Sequence, residues 1–495
     1  MQQTTLYQLK TESTVISGMS YVVKCGDGSI FVIDGGYDHG DAEILMTFLK
    51  GLTQSDHPVV DAWLITHGHP DHTGALYGVA KRHYKEITVK KLIYRWPDKA
   101  FIDASQPVIN QQLASLEAEL VNLNAEHVVP KTGDVYRFGD TEFEVMLTCD
   151  QLPETKPGDH TDFNDSSTVV RLKANGQTVL FLGDVAAAGD RVMIEKHGKN
   201  LKSDVCQLAH HGHFSSTSEF YDYVDPEILL WPADETRIPL LMKYIGVDYH
   251  VAYEMNVREI VLAHWGTRCL PLPIKPTGDS YWPPRECHKK DPTPAFGILR
   301  APDGFNWTDS SDPAWNTAEK AELIPENPGR IKAVSSGEAR FLWDGVNIYF
   351  MIDHKKEIVP PQPDSFGTTD STNVRLYFSE TAVLDYYADW KDIAGEGTLE
   401  KLMFYPEIKS AFGAYTDRPD LCEARCEAIP GGYRVLAKLP LAKKHSAGDL
   451  ISVNLKASGN DVPGGSRTSC ISMIDPEDAR FVYKRPACLC VAELK

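Results

Sequence analysis

The first 270 residues alternate between short apolar runs and amphipathic stretches. Residues 20–25 and 29–34 are rich in β-branched and aromatic side chains and flank a Gly-Asp-Gly turn, which predicts a β-hairpin. Residues 41–52 place apolar side chains at helical spacing, and the run VVDAWLIT at 59–66 is typical of a buried strand. Because strands and helices continue to alternate along this region, the pattern predicts an α/β fold built from packed layers.

The pattern changes beyond residue 270. Pro-rich runs such as PLPIKP, WPPRE and DPTPAF concentrate in 271–302, which predicts an extended connector. Farther along, the helical spacing fades and strand-like segments dominate, at 339–343, 348–352, 373–378, 433–439 and 450–455. We therefore expect two domains, at 1–270 and 303–495, of which the second is an all-β sandwich.

The charge balance narrows the classes of partner. The chain carries 50 Lys and Arg residues against 69 Asp and Glu residues, which gives a net charge of −19. That charge disfavours binding to a nucleic-acid backbone or to an anionic membrane surface, because both attract clustered cationic side chains. A small anionic substrate remains compatible with it, since a bound metal ion reverses the field locally.

Targeting and redox signals are few. No apolar run reaches the ~18 residues of a membrane-spanning helix, and the first residues lack the basic and apolar segments of a signal peptide. The ten cysteines are scattered, as is typical of reduced thiols. We expect a cytoplasmic protein without a membrane partner, or an extracellular one if a signal peptide has been removed. The oligomeric state stays open.

The strongest chemical signal is the segment THGHPDHTG at 66–74, which follows a predicted buried strand. His67, His69, Asp71 and His72 lie within six residues, a density that packing does not explain. Imidazole and carboxylate groups are common ligands of Zn²⁺. In such a turn, His67 and His69 can point one way while Asp71 and His72 point the other. The segment therefore predicts a site for two metal ions.

Two further strand ends carry metal-binding side chains. The apolar run VLFLGD ends in Asp184, where a carboxylate can bridge two cations, and Gly183 permits a close backbone approach. The run LAHHGH ends in His210, His211 and His213. Each signal is weak alone, because turn aspartates and surface histidines are common. Their order along the chain gives them weight.

Together the three segments resemble the metallo-β-lactamase superfamily, whose pattern is H-x-H-x-D-H, then an Asp after a strand, then a further His. The resemblance covers roughly residues 1–270 and implies an αββα sandwich. Asp34 matches the Asp that supports the His segment in that family. NDSSTVVRL at 164–172 and DVCQLAHHG at 204–212 resemble the domain of bacterial competence channels and pneumococcal-type phosphorylcholine esterases.

The resemblance implies a role for each candidate residue. His67 and His69 hold a first metal ion, Asp71 and His72 hold a second, and Asp184 bridges them. For the last ligand of the second ion, His210 is favoured over His211. The implied catalytic residues are Asp71, which orients the attacking water, and His211 or His213, which protonates the leaving group.

Three other positions, His160, Asn164 and His264, are open to a functional or a structural interpretation. In the similar branch an Asn/Ser stretch, here beginning at Asn164, replaces a metal-binding His, and His160 could fill that place or lie in an ordinary loop. His264 ends another apolar run and could belong to the site or to the domain edge. His213 stands where the branch usually has Ser, which puts the contacts to the substrate in doubt.

Two divalent metal ions, zinc above all with manganese or iron as alternatives, suit hydrolysis of a phosphodiester, a lactone, an ester or a β-lactam. The resemblance favours the phosphodiester, and the net charge favours a small or glycan-linked substrate over nucleic acid. A third hypothesis is a glycan-binding protein with a vestigial metal site. The intact His/Asp set argues against that hypothesis.

Residues 303–495 resemble the family 9 carbohydrate-binding module, which is related to the DOMON fold. Trp315, Trp343 and Tyr349 are expected in the core of the sandwich rather than on a sugar-binding face. Trp390, in the segment YYADW, is the candidate for an exposed platform that stacks on a glycan.

Overall fold

The computed structural model divides the chain into two compact units, Met1–Cys287 and His288–Lys495. The division lies within the predicted connector at 271–302. The structure describes residues 2–11, 18–38, 40–106, 109–152, 163–213, 216–235, 238, 247–278, 280–283, 294–325, 336–355, 373–379, 399–405, 410–413, 423–441, 444–459, 469–473 and 490–495.

Strands and helices alternate in the first unit, as the hydrophobic pattern predicted. Its strands are β1 (Thr5–Gln8), β2 (Ser20–Lys24), β3 (Ile30–Asp34), β4 (Val59–Val60), β5 (Ala62–Leu64), β6 (Thr88–Val89), β7 (Lys91–Ile93), β8 (Glu126–Val128), β9 (Val135–Phe138), β10 (Thr141–Leu147), β11 (Val169–Ala174), β12 (Gln177–Phe181), β13 (Val205–Gln207), β14 (Ile228–Trp231), β15 (Glu259–Leu262) and β16 (Arg268–Pro271). Among the described residues, its α-helices of seven residues or more are α1 (Asp41–Thr53), α2 (Pro70–Gly78), α3 (Lys99–Ser105), α4 (Ile109–Leu120), α5 (Ala187–His197) and α6 (Ser218–Val224).

Within the described residues, fourteen of these strands form two seven-stranded sheets, in the orders β16-β1-β2-β3-β5-β7-β8 and β15-β14-β13-β12-β11-β10-β9. One core lies between the sheets and draws side chains such as Phe31, Leu64, Phe181 and Leu230 from both. A second core joins the other face of the first sheet to α1, α2 and α4, and α5 contacts β10 of the second sheet. The predicted αββα sandwich is confirmed.

Parallel pairing brings the chemically important turns to one edge of each sheet. β3, β5 and β7 run parallel to one another, and so do β12, β13, β14 and β15. Because parallel strands end at the same edge of a sheet, the segments after β3 and β5, and those after β12, β13 and β14, gather side chains that are distant in sequence.

Two predicted boundaries differ from the structure. The predicted strand at 59–66 is interrupted at Asp61, whose carboxylate accepts the backbone N–H of Ile30 at 2.9 Å, so that β4 pairs with β6 instead of β3. The first unit also extends past residue 270. Leu272 and Ile274 are buried in the core between its sheets, because extended Pro-rich backbone can still bury alternate apolar side chains.

The second unit is all-β. Its described strands are β17 (Phe296–Arg300), β18 (Lys320–Pro325), β19 (Ser336–Trp343), β20 (Asn347–Lys355), β21 (Asn373–Ser379), β22 (Leu399–Tyr405), β23 (Ser410–Gly413), β24 (Glu423–Ile429), β25 (Gly432–Pro440), β26 (Leu450–Gly459), β27 (Ser469–Ser472) and β28 (Cys490–Leu494). Its core packs Phe341 and Phe350 against Val453 and Leu455. Trp315, Trp343 and Tyr349 are buried, as expected for core residues.

Membrane-spanning helices were also sought in the described part of the chain. None of its helices combines the length and the apolar character that crossing a membrane requires.

Candidate metal centre

The His-rich segment forms the turn from β5 into α2. His67 and His69 lie in the turn, and Asp71 and His72 lie in the first turn of the helix, which Pro70 begins. Gly68 permits close packing, because a Cβ at this position would lie 2.7 Å from a methyl carbon of Leu113. The local sequence thus places imidazoles at the edge of the sheet, both before α2 and in its first turn.

Asp34 stabilises this turn through hydrogen bonds to Thr66 and His72. It ends β3 with a left-handed φ of 54°, a conformation that Asp tolerates better than most residues. Its carboxylate accepts the backbone N–H of Thr66 at 2.7 Å, the Thr66 hydroxyl at 2.8 Å and the Nδ1–H of His72 at 2.8 Å. Burial raises the pKa of Asp34, and these donors oppose the rise. Asp34 therefore lies where a residue that supports the His segment must lie.

Asp184 follows β12 on a turn that glycine makes possible. Gly183 has a φ of 57°, and a Cβ there would lie 2.8 Å from the Cβ of Thr66. The backbone N–H of Asp184 donates to the Ser167 hydroxyl at 3.1 Å, and the Gln207 side chain donates to the carbonyl of Gly183 at 3.0 Å. The carboxylate is therefore presented to the His67–His72 turn by fixed backbone.

The His-His segment after β13 turns through two consecutive left-handed residues, His210 (φ 51°) and His211 (φ 58°). The N–H of His210 donates to the carbonyl of Gly183 at 3.1 Å. The indole N–H of Trp231 donates to the carbonyl of His211 at 2.9 Å. These bonds direct the side chain of His211 into the protein, where it is 1% exposed.

The described residues converge in two groups whose ligand atoms lie within 4.8 Å of one another. The first group is His67, His69 and Asp184, and the second group is Asp71, His72, Asp184 and His211. Asp184 belongs to both. Its Oδ2 lies 3.7 Å from Nε2 of His67, and its Oδ1 lies 3.2 Å from Nε2 of His72 and 3.6 Å from Nε2 of His211.

Hydrogen bonds on the outer side of three histidines determine which nitrogens face inward as acceptors. His72 donates from Nδ1 to Asp34, and His211 donates from Nδ1 to the carbonyl of Pro232 at 2.8 Å. The Thr66 hydroxyl donates to Asp34 and can accept the Nδ1–H of His67 at 3.2 Å. In a neutral imidazole the other nitrogen then carries a lone pair.

The inward-facing atoms fit cations. Nε2 of His72 and Nε2 of His211 face each other at 3.3 Å. When both rings are neutral, these two atoms carry lone pairs, and a cation between them would stabilise the contact. Among the described residues, the buried Oδ1 of Asp184 accepts no hydrogen bond of good geometry. Because buried polar atoms in proteins almost always have partners, this oxygen indicates a position for a metal ion.

The charges of the two groups are strongly coupled. Burial lowers the pKa of His67 well below its usual range, and neighbouring His72 lowers it further. Burial acts in the same direction on His72 and His211, but the nearby carboxylates outweigh it and raise the pKa of both. Burial would raise the pKa of Asp71 and Asp184, but the histidines lower it. Such paired carboxylates and imidazoles attract positive charge.

The geometry favours His211 over His210 as the last ligand. His210 was favoured, yet its Nε2 lies 3.8 Å from Oδ2 of Asp184, on the side of the first group, and its side chain is 16% exposed. His211 lies in the second group instead. The physical reason is the pair of left-handed residues, which brings the second imidazole of the segment inward. His211 therefore lies in the group that could hold the second metal ion, a position that favours a ligand role over that of a proton donor to the leaving group.

The other candidates lie farther out. His213 is half-buried, and its ring centroid lies 5.4 Å from that of His210. The amide nitrogen of Asn164 lies 3.5 Å from Nε2 of His210. His264 accepts the backbone N–H of Glu235 at 2.9 Å and contacts Asp234, outside both groups. His160 and Trp390 lie outside the described residues.

Several residues that position the centre were missed by sequence reasoning. Asp165 accepts the N–H groups of Ala186 and Gly189 at 3.0 and 2.9 Å, which holds the start of α5 just after Asp184. Gln106 places its Oε1 2.9 Å from Nε2 of His69. The only sequence signal for Asp165 is an acidic residue beside Asn164 at the start of an apolar strand, and Gln106 carries none.

Comparison with known proteins agrees with this geometry. Residues 13–229 match the family model of the metallo-β-lactamase superfamily. ComE operon protein 3 of Bacillus subtilis (strain 168) is 30% identical over 198 residues, which cover 39% of this chain and 22% of that protein. The chain thus spans less than a quarter of the length of this relative.

The solved structures that are similar to parts of the chain include the following two. A family 9 carbohydrate-binding module from Caldicellulosiruptor kristjanssonii, in complex with cellotriose, is 14% identical with a TM-score of 0.34, over 40% of this chain and 92% of that chain. Zn²⁺-bound PqqB from Methylobacterium extorquens is 10% identical with a TM-score of 0.32, over 54% of this chain and 100% of that chain.

An αββα sandwich with two His/Asp groups at its strand ends defines a class of metal-dependent enzymes. The N-terminal unit contains a metallo-β-lactamase domain, and proteins of this superfamily are typically metal-dependent hydrolases. The family resemblance of the H-x-H-x-D-H segment is confirmed.

Proposed function

We propose that the first unit is a dinuclear metal-dependent hydrolase that cleaves a phosphodiester in a small or glycan-linked substrate. The observation that supports this most is the position of Asp184, whose two carboxylate oxygens face the two ligand groups. With both ions bound, this carboxylate would be a ligand to each of them. Zinc suits the His and Asp ligands best, and manganese or iron accept them as well.

Two ions held by these residues would supply a nucleophile from water near neutral pH and neutralise charge on a phosphoryl group. The protein residues do the rest. Asp71 has a side chain that is 12% exposed, so it can accept a hydrogen bond from the attacking water and orient it. The half-buried His213 has its ring centroid 5.4 Å from that of His210, and it would donate a proton to the leaving oxygen.

A phosphodiester is preferred to a lactone or a β-lactam because the segments at 164–172 and 204–212 resemble the phosphorylcholine-esterase branch. The net charge of −19 argues separately against a long polyanion as the substrate. An anionic substrate must therefore be attracted by the ions rather than by the field of the whole protein. A small phosphodiester or one carried on a glycan meets both conditions.

The test combines metal analysis with a substrate panel of bis(p-nitrophenyl) phosphate, lactones, esters and nitrocefin. We expect two ions per chain and phosphodiester turnover that falls at least about 100-fold in Asp71→Ala. The exposed Asp303→Ala is the matched control and retains full turnover. Turnover of lactones or esters alone contradicts the proposed substrate, and substoichiometric metal without turnover contradicts the enzyme.

A further inference from the structure

Gln106 contacts His69, the ligand histidine whose tautomer is not set by Asp34, Thr66 or the carbonyl of Pro232. Its Oε1 lies 2.9 Å from Nε2 of His69. On the other side of the same ring, Nδ1 of His69 lies 2.9 Å from Nε2 of His67. The two nitrogens of the His69 ring therefore face an amide oxygen on one side and an imidazole nitrogen on the other.

The protein holds Gln106 firmly in this place. Gln106 joins α3 to α4, its N–H donates to the carbonyl of Ile102 at 2.8 Å, and its carbonyl accepts the N–H of Ile109 at 3.0 Å. The helices pack through a small apolar cluster formed by Phe101, Ile102, Ile109, Leu113 and Phe163. The ring of Phe163 lies 4.9 Å from that of His69, so the cluster reaches the ligand itself.

The direction of the amide decides what the first group can bind. If the oxygen of Gln106 accepts the Nε2–H of His69, Nδ1 carries a lone pair that faces the lone pair of His67, and the pair can hold a cation. If the NH₂ of Gln106 donated instead, Nδ1 would carry the proton and donate to His67, and the first group would lose a ligand.

We propose that Gln106 is a positioning residue that fixes His69 in the tautomer that binds the first metal ion. The inference rests on the metal centre of the proposed function but not on its substrate. Substitution of a residue that orients a ligand histidine in this way typically weakens metal binding by about 10–100-fold. The α3–α4 pair therefore contributes to the metal centre as well as to the core.

The experiment measures ion affinities directly, by competition of Zn²⁺ between the protein and a chromophoric chelator. Gln106→Met keeps the size of the side chain and removes the acceptor, and we expect the first ion to bind about 10–100-fold more weakly. Gln106→Glu keeps an acceptor and should bind that ion at least as tightly as the native chain. Gln112→Met, on the exposed face of α4, is the matched control and should change nothing.

Two further measurements keep the outcomes distinct. Far-UV circular dichroism and thermal unfolding of the metal-free variants establish that each has folded. The affinity for the second ion is an internal reference and should change by less than about threefold. Unchanged binding in Gln106→Met overturns the proposal, and so does an equal loss in Gln106→Glu, which would mean that the side chain acts by packing. Failure of phosphodiester turnover would leave these affinities unaffected.

Discussion

At the scale of single residues, the ability of the centre to hold metal ions depends on which nitrogen of each imidazole hydrogen-bonds to a group outside the centre. Asp34, Thr66 and the carbonyl of Pro232 each engage one Nδ1, which leaves Nε2 of His72, His67 and His211 directed inward. A motif of residue letters contains none of this information. It does predict that His67, His69, Asp71 and His72 are ligands, because side chains within six residues of one turn must lie close to one another.

The choice between His210 and His211 lies beyond the reach of sequence. Both histidines follow the same strand. Which imidazole turns inward depends on two left-handed φ angles, and the residue types at these positions do not predict those angles. Gln106 lies 37 residues from His69 along the chain and meets it only because α3 and α4 pack against Phe163. Such pairs arise from tertiary structure alone.

The first prediction compares the two neighbouring histidines. His211→Ala removes a ligand of the second group, and we expect the affinity for the second ion to fall about 100-fold or more. His210→Ala leaves that group intact and should retain the second ion. The comparison is matched, since both substitutions put Ala in a left-handed conformation at similar cost. Titration with Zn²⁺ against a chelator gives the affinities, and the reverse ranking would restore His210 as the ligand.

At the scale of elements, the parallel strands bring the ligand residues to one edge of each sheet. The turns that follow these strands orient the side chains toward the metal centre. The sequence predicted the strands through their apolar runs and predicted the αββα class through the motif. It did not predict α3 and α4, although Ile109, Leu113, Leu116 and Leu120 recur at helical spacing and are buried. Nor could it predict that Asp165 closes the turn after Asp184, because that bond spans 21 residues.

The second prediction concerns this closure. Asp165 is buried and accepts two backbone N–H groups at the start of α5. Asp165→Ala leaves both donors without their carboxylate, and we expect the free energy of unfolding to fall by about 2–4 kcal/mol. Urea unfolding followed by circular dichroism measures the change. Asp303→Ala, an exposed carboxylate in the second unit, is the control, and an equally small effect in both variants would contradict the structural role.

The third prediction concerns pH and the attachment of α6. His250 contacts Asp222 of α6 at 2.8 Å and Glu254 at 2.9 Å. Partial burial would lower the pKa of His250, but these two carboxylates outweigh it and raise the pKa above the ordinary value of 6.5. Because the folded state holds the proton more tightly, the stabilisation is fully present below pH 6.5. It is lost as the pH rises through the folded pKa.

His250→Gln therefore should lower the urea midpoint at pH 5.5 and leave it almost unchanged at pH 9. High salt should shrink the difference at pH 5.5, since the groups are partly exposed. The exposed His57, which bonds only to the Thr88 hydroxyl among the contacts described for its ring, provides the control as His57→Gln. A midpoint that falls equally at both pH values would mean that His250 acts by packing rather than by charge.

At the scale of the whole molecule, the two units have separate hydrophobic cores, and the ligand groups lie entirely in the first. The change in hydrophobic pattern predicted two domains, but it could not show that Leu272 and Ile274 pack into the first core, because Pro-rich runs look alike whether exposed or buried. The net charge of −19 is likewise a property of the whole chain and not of the centre.

The fourth prediction follows from this separation. A ligand that binds only the folded state stabilises the unit that holds it, by about 2.7 kcal/mol when the free ion exceeds its dissociation constant about 100-fold. We therefore expect two transitions in calorimetry of the full chain. Removal of metal by a chelator should lower one of them by about 5–10 °C and leave the other in place.

The variant Asp184→Asn separates metal binding from a general effect of the chelator. Asp184 belongs to both ligand groups, so this chain should show the lower transition with or without added Zn²⁺, while its other transition matches that of the native protein. A single transition that shifts as a whole would contradict independent cores. A native chain whose transitions ignore the chelator would contradict the metal centre itself, because a bound ion cannot stabilise a fold without raising its unfolding temperature.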